Sequence, residues 1–251
     1  MATYDLDGRV AFVTGAAKSI GASCARSLAA SGARVAVTDI DAEGAESVAE
    51  EIRVGGGEAI GLALDVSDSQ AVDAAVADVV KRFGGLHIAV NNAGVTSDGA
   101  PTGELTDEAW RRILAVNLDG VFYCTRAEVA AMRESGGGSI VNMASILGSV
   151  AFRTHVAYTT SKHGVIGLTR GAAVDHAADG IRVNAVAPGF IRTPLNDVLP
   201  PEVVSDVEQA TPLGRMGEVA EVAELVVWLA SDVSSFTTAA LYHIDGGYVA
   251  L

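Results

Sequence analysis

Short runs of β-branched and aliphatic residues alternate along this chain with Ala-rich stretches of helical period, and that alternation leaves few folds open. A strand covered by helices on both faces reads as a continuous apolar run, and strands separated by helices run parallel. Strands are predicted near Arg9–Thr14, Ala33–Thr38, Ala59–Leu64, His87–Asn91, Ser139–Met143, Arg182–Ala187 and Leu241–Ile244. Between them, helices are predicted over Ile20–Ala30, Ala42–Arg53, Ser69–Phe83, Asp107–Arg133, Val156–Ala178 and Glu218–Ala230. Thr106 before Asp107-Glu108, and Ser67-Asp68-Ser69, offer side-chain oxygens to the free amides of two helix starts, and glycines at 55–57 and 136–138 end helices. The stretch Phe190–Gly217 is broken by prolines and weakly periodic, so it reads as a mobile loop with short helical pieces that closes over a site. The fold class that follows is α/β, a doubly wound parallel sheet of about seven strands with helices on both faces.

No Pro- or Ser-rich linker interrupts the 251 residues, so one domain over 1–251 is expected. With 17 Lys and Arg against 31 Asp and Glu, the net charge of −14 repels phosphate backbones and anionic lipid, which argues against nucleic acid and membrane surfaces as partners. The start of the chain has neither a basic segment nor an apolar run typical of a leader, and no apolar stretch approaches the ~20 residues of a membrane span. A cytoplasmic location is expected. Cys24 and Cys124 read as buried thiols, and the scattered histidines lack the spacing of a metal site, so no metal is expected.

Directly after the first strand comes Thr14-Gly15-Ala16-Ala17-Lys18-Ser19-Ile20-Gly21, which opens a helix. Small residues let the backbone approach a pyrophosphate, and the helix start favours the anion, so the fold is of the Rossmann type. The second strand ends near Asp39, 24 residues beyond Gly15, at the spacing where a carboxylate meets the adenosine ribose. That charge repels a 2′-phosphate, and the next residue, Ile40, has no guanidinium to neutralise one. The expected cofactor is therefore NAD, with NADP disfavoured although Lys18 in the glycine loop is a cation that welcomes extra phosphate.

Tyr158 and Lys162 are four residues apart, on one face of a helix, so the ammonium is expected near the phenol and favours its phenolate. Ser145, just beyond the fifth strand, is placed to donate a hydrogen bond to a substrate oxygen. With the glycine loop, Asp65-Val66, Asn91-Asn92-Ala93-Gly94, Asn117, Pro188-Gly189, Thr193 and the terminal Asp245-Gly246-Gly247, these motifs occur in the order found in one family. Over almost its whole length the chain resembles the short-chain dehydrogenase/reductases of the compact single-domain branch.

The resemblance implies hydride transfer between nicotinamide and a secondary alcohol or ketone, with Asn117, Ser145, Tyr158 and Lys162 as the catalytic set. It implies cofactor contacts from Gly15, Lys18, Ser19, Ile20, Gly21, Asp39 and Ile40, and from Tyr158 and Lys162. Asp65 and Val66 are to meet the adenine, Asn91, Ala93 and Gly94 to hold the loop beside the cofactor, and Asn117 to bind a water linking Lys162 to solvent. Pro188, Gly189, Ile191 and Thr193 are to flank the nicotinamide. An Asn inside a helix makes physical sense only with a local distortion or a water beside it. Two residues depart from the family pattern: Ser19 replaces a loop glycine, and Thr238 stands where the C-terminal segment usually has one.

The residues expected to face the carbonyl are Ile146, Leu147, Val150, Phe152, His155, Phe190, Leu195 and Val198, a mostly apolar set that fits a neutral ketone or secondary alcohol. Reduction of 3-oxoacyl thioesters on an acyl carrier protein is the second reading, weakened because an acidic carrier needs a basic docking surface. An NAD-binding regulatory protein without turnover, and an epimerase or dehydratase of a nucleotide sugar, are the remaining ones. By resemblance the helices carrying Asn117 and Tyr158 pair across a two-fold axis and the C-terminal segment completes a homotetramer. Tyr248, Val249 and Leu251 are apolar candidates for that contact or for packing within their own subunit.

Overall fold

A computed structural model describes residues 4–96, 99–193 and 200–250; Leu195, Val198 and Leu251 lie outside the described residues. The strands are β1 (Val10–Thr14), β2 (Arg34–Asp39), β3 (Ala59–Ala63), β4 (Ile88–Asn91), β5 (Gly138–Met143), β6 (Ile181–Pro188), β7 (Ile191–Arg192), β8 (Gly217–Glu218) and β9 (Leu241–Ile244). Seven form one sheet in the order β3-β2-β1-β4-β5-β6-β9, and β7 with β8 makes a separate two-stranded pair. Every pairing in the large sheet is parallel. The expected seven strands and doubly wound class are therefore what the chain adopts.

The helices are α1 (Ser19–Ala30), α2 (Ala42–Val54), α3 (Ser69–Phe83), α4 (Asp107–Leu114), α5 (Gly120–Glu134), α6 (Val156–His176), α7 (Pro201–Ala210) and α8 (Val219–Ala230). They bury both faces of the sheet, which explains why β1 has no polar alternation. Ala11 and Val13 pack with Cys24, Leu28, Val48 and Val226 on one face, while Val10 and Phe12 pack with Val76, Val79 and Met132 on the other. Asp68 caps α3 through the amides of Gln70 and Ala71, and Thr106 caps α4 through Ala109. Gly56, Gly136 and Gly137 follow helix ends at positive φ.

Three local expectations are revised. The helix predicted over Asp107–Arg133 is interrupted at Ala115–Asp119 by a wider π-type turn between α4 and α5, with Asn117 at its centre. The segment Phe190–Gly217 contains β7 and the ten-residue α7, which begins with Pro201 in its first turn. None of the α7 side chains is fully buried, although Val204 and Val207 are half-buried on one face. Near the C-terminus, the backbone conformation that favours glycine falls on Ala239 (φ 60) rather than on Thr238. Thr238 Oγ1 instead accepts a hydrogen bond from the Val183 amide at 3.1 Å, a bond glycine could not make.

Candidate active site

The order β2-β1-β4 reverses the direction of winding between β1 and β4, which opens a crevice beyond their carboxyl ends. The turn after β1 is tight because Gly15 takes φ +62, and a Cβ there would lie 2.7 Å from the Ala93 Cα. A Cβ on Gly21 would run into the Gly15 carbonyl, so α1 packs directly on the turn. Ser19 keeps the left-handed conformation (φ 53) although it has a side chain. Whereas α2 starts with the Asp41 cap and Glu43, α1 has neither a capping side chain nor an acid in its first turn. Its first amides and its dipole are left to an external anion, and this cradle fits the pyrophosphate of a dinucleotide. Lys18 is exposed beside it.

Asp39 ends β2, and its carboxylate accepts the Ala17 amide on Oδ2 and the Asp41 amide on Oδ1, both at 3.0 Å. The carboxylate is thereby fixed beside the glycine loop with lone pairs to spare. Ile40 is 75% exposed, an apolar side chain turned to solvent. Asp65 is also exposed and accepts from the amide and hydroxyl of Ser67, while Val66 is buried beneath Gly120.

The loop after β4 is tied to the glycine loop by Asn92 rather than by the side chain of Asn91. Asn92 Nδ2 donates to the carbonyls of Thr14 (3.0 Å) and Gly15 (2.9 Å), and the Asn92 and Ala93 amides both donate to Thr14 Oγ1. Asn91 is buried and turns its side chain into the interior, towards Glu128 and Asn142. Gly94 lies at the crevice, where a Cβ would stand 3.3 Å from Asn117 Oδ1 and 3.8 Å from Lys162 Nζ.

Asn117 is fully buried in the π-type turn. Its Oδ1 accepts the Val95 amide at 2.7 Å and its Nδ2 donates to the Val95 carbonyl at 2.9 Å, like one rung of a sheet. The widened turn brings the side chain to that loop, so the distortion anticipated for an Asn at this place is present.

Ser145 follows β5 in extended conformation, and its Oγ accepts the Leu147 amide at 3.2 Å. Burial raises the Tyr158 phenol above its ordinary pKa, and the Ser145 side chain partly offsets this. Lys162 stands beside the phenol, as the four-residue spacing on one helix predicts. Lys162 Nζ is 5.5 Å from the Tyr158 ring centroid and donates to the Met143 carbonyl at 2.7 Å. Burial lowers that ammonium to about 8, because a low-dielectric surrounding disfavours the charged form.

Pro188 closes β6, and the Gly189 amide donates to the Ile244 carbonyl. Ile191 is buried in β7, and Thr193, half-buried, is the last described residue before 194–199. Three aromatic rings converge there: Phe152 stacks on Phe190 at 6.0 Å, and Tyr248 meets both edge-on at 6.1 and 5.4 Å. Tyr248 thus packs within its own subunit. His155 lies edge-on to Phe152, and because its Nδ1 bonds the Arg153 carbonyl at 2.7 Å, its Nε2 is left as an acceptor. Cys24 and Cys124 are buried free thiols, and burial pushes Cys24 up to about 12. Among the described residues no cluster could hold a metal ion, and no helix is long and apolar enough to cross a membrane.

Within the two loop motifs no separate role was expected of Thr14 or Asn92, and Glu128 was not predicted to take part. Asn92 lay inside the motif already recognised, and Glu128 had a signal of its own, an acid within the apolar stripe Val121, Cys124, Thr125, Val129 and Met132 of α5.

A family model described as enoyl-(acyl carrier protein) reductase matches residues 15–249. The chain is 45% identical to cis-4-hydroxycyclohexanecarboxylate dehydrogenase of Sinomonas cyclohexanicum, over 97% of each chain. It is 42% identical to cyclohexanol dehydrogenase of Acinetobacter sp. (strain SE19), over 96% of this chain and 95% of the relative. The solved structure of a short-chain type dehydrogenase/reductase from Mycobacterium marinum superposes with a TM-score of 0.94 at 37% identity, over 98% of both chains. With the crevice, the glycine cradle and the Ser145–Tyr158–Lys162 arrangement in place, these likenesses establish that the chain belongs to the short-chain dehydrogenase/reductase family of oxidoreductases.

Proposed function

We propose that the protein is an NAD(H)-dependent dehydrogenase of secondary alcohols carried on a small carbocyclic ring. The observation that carries this reading is the buried Lys162 with its Nζ 5.5 Å from the Tyr158 ring, together with the Ser145 side chain that acts on the same phenol. Bound nicotinamide would accept or supply the hydride. Tyr158 Oη exchanges the proton of the substrate oxygen, and Ser145 Oγ hydrogen-bonds the same oxygen as its charge changes. Lys162, closer to neutrality than an ordinary lysine, carries the proton onward past Asn117. The glycine cradle with Ser19, Ile20 and Gly21 takes the pyrophosphate, Asp39 the ribose hydroxyls, Asp65 and Val66 the adenine, and Gly94, Pro188, Gly189, Ile191 and Thr193 the nicotinamide side.

The aromatic wall of Phe152, Phe190 and Tyr248 suits an apolar ring, with His155 Nε2 accepting from a second hydroxyl. The names of the two relatives, a cyclohexanol and a hydroxycyclohexanecarboxylate dehydrogenase, support that size of substrate. The family model's description favours acyl-carrier-protein reduction as a second reading, but the net charge of −14 opposes docking of an acidic carrier.

Tyr158→Phe is expected to bind NADH normally and to lose turnover by at least about 100-fold, the usual worth of a positioned acid/base. Because burial raises the phenol, oxidation of cyclohexanol should still be rising with pH at neutrality, while ketone reduction should not. Steady-state rates with NAD(H) and a panel of cyclic alcohols, cyclic ketones and acyl thioesters check both. Turnover retained in the Tyr158→Phe variant would remove Tyr158 from its role, and preference for thioesters would favour the second reading.

Asp39→Ala should cut the NADH over NADPH preference by about tenfold or more, since a charge-assisted bond is worth about 1.5–3 kcal/mol. An unchanged ratio of kcat/KM would place cofactor choice elsewhere.

A further inference from the structure

Behind the site, polar side chains from four elements meet where the sheet and helices are otherwise apolar. Glu128 of α5, Asn91 of β4, Asn142 of β5 and Thr169 of α6 are each no more than 1% exposed. Asn91 Nδ2 donates to Glu128 Oε2 and to Asn142 Oδ1, both at 2.9 Å. Asn142 Nδ2 donates to Thr169 Oγ1 at 3.0 Å, and that hydroxyl donates to the Val165 carbonyl at 2.7 Å. Each element carries one part of the site just beyond this chain of bonds. Asn91 precedes the Asn92–Gly94 turn, Asn142 precedes Met143 and Ser145, α6 bears Tyr158 and Lys162, and α5 continues from the turn that holds Asn117.

Two atoms in this network have no partner, Glu128 Oε1 and Asn91 Oδ1. They are the second ends of the two groups already joined through Nδ2 and Oε2. Two oxygens cannot bond one another, and a buried carboxylate half unpaired and without a cation is costly. One proton on Oε1 makes one orphan a donor and the other its acceptor.

We propose that Glu128 is a positioning residue: as a carboxylic acid it closes a two-bond pair with Asn91, Nδ2–H to Oε2 and Oε1–H to Oδ1, and so holds the Asn92–Gly94 turn in place. That turn grips the glycine loop through Thr14 and Gly15 and passes Asn117 and Lys162. Burial pushes the Glu128 carboxyl up to about 8, in keeping with an acid that is protonated at neutral pH. Its titratable neighbour is Cys124 on the same helix, which burial holds as a thiol. On the packed helices Arg126 pairs with Asp73 of α3, Arg133 and His176 pair with Asp179, Lys162 donates to the Met143 carbonyl, and Glu134, Arg170 and Asp175 are exposed. β4 and β5 contribute only Asn91, Asn142 and apolar or hydroxyl side chains around it.

The consequence for NADH rests on the cofactor reading above; the acid–amide pair does not. In Glu128→Gln the amide keeps both bonds without a titrating proton, whereas Glu128→Ala removes them. Infrared difference spectra of wild type against E128Q at pH 7 should contain the carbonyl band of a protonated carboxylic acid. The NADH Kd of E128Q should stay close to wild type, while that of E128A rises about tenfold, the worth of roughly 1.4 kcal/mol, with the alcohol KM less affected. A folded-state pKa above the unfolded one means that the acid's contribution is complete below the unfolded value, 4.5, and is lost as pH rises towards about 8. The thermal midpoint of wild type should therefore fall relative to E128Q across that window. Absence of the infrared band, or E128Q binding NADH as poorly as E128A, would overturn the acid–amide pair, and unchanged NADH binding in a folded E128A would overturn the positioning role. If E128A does not fold, the band and the relative midpoints still decide the pair. A wild type that shows the band but never binds NADH would instead reject the cofactor reading.

Discussion

Ser19 occupies a backbone conformation that costs an L-residue with a side chain roughly 1–2 kcal/mol, and no side-chain cap replaces the loss at the start of α1. The conformation is held because Gly15, Gly21 and Asn92 leave the chain no wider path around the turn. Ser19→Gly should raise stability by up to about 1 kcal/mol after the greater entropy of an unfolded glycine is counted. Urea denaturation with a constant slope would check this. A loss of stability would mean that the Ser19 hydroxyl supplies a bond that outweighs the strain. Ala239 has the same kind of φ, whereas its neighbour Thr238 makes a bond to Val183, so the two departures from the family pattern have opposite physical meanings.

Among the elements, the break between α4 and α5 is where a helix gives up regularity for a site. Five residues of wider winding carry Asn117 to Val95, and both backbone groups of Val95 are satisfied by one side chain. Asn117→Ala leaves that amide and carbonyl without their partner, and should cost about 1–3 kcal/mol and lower kcat. Chemical denaturation together with single-turnover rates tests it, and a variant of wild-type stability and rate would show that water replaces the side chain freely. This helix reads as one piece in the sequence because Trp110, Ile113, Val116, Val121 and Cys124 keep an apolar face through the break. Only the Asn itself marked it. By contrast α7 reads only as a short helical piece within a loop, because prolines flank its ten residues.

Taking the molecule as a whole, α5 and α6 present an outer groove lined by Phe122, Arg126, Leu168, Ala172 and His176, with Phe122 47% exposed. This is the face on which the helices bearing Asn117 and Tyr158 are expected to pair, and a sedimentation mass of four chains at micromolar concentration is the expected result. A mass of one chain would reject the tetramer and leave the groove as monomer surface.

Local sequence was enough for the seven-stranded parallel sheet, for most strand and helix boundaries, and for the positions of the glycine loop, Asp39, Ser145, Tyr158 and Lys162 along those elements. Each of these rests on short-range physics: uninterrupted apolar runs, helical period, caps, and the spacing that puts two side chains on one face. How side chains distant in the chain share their bonds was legible only once the elements were packed. That Asn92 rather than Asn91 ties the two loops is decided where β4 ends, since Asn91 turns to Glu128 of α5 and Asn142 of β5 while Asn92 just beyond it turns to the glycine loop. Burial pushes Tyr158 and Glu128 up and Lys162 down, and desolvation depends on everything packed around a group and has no local period to read.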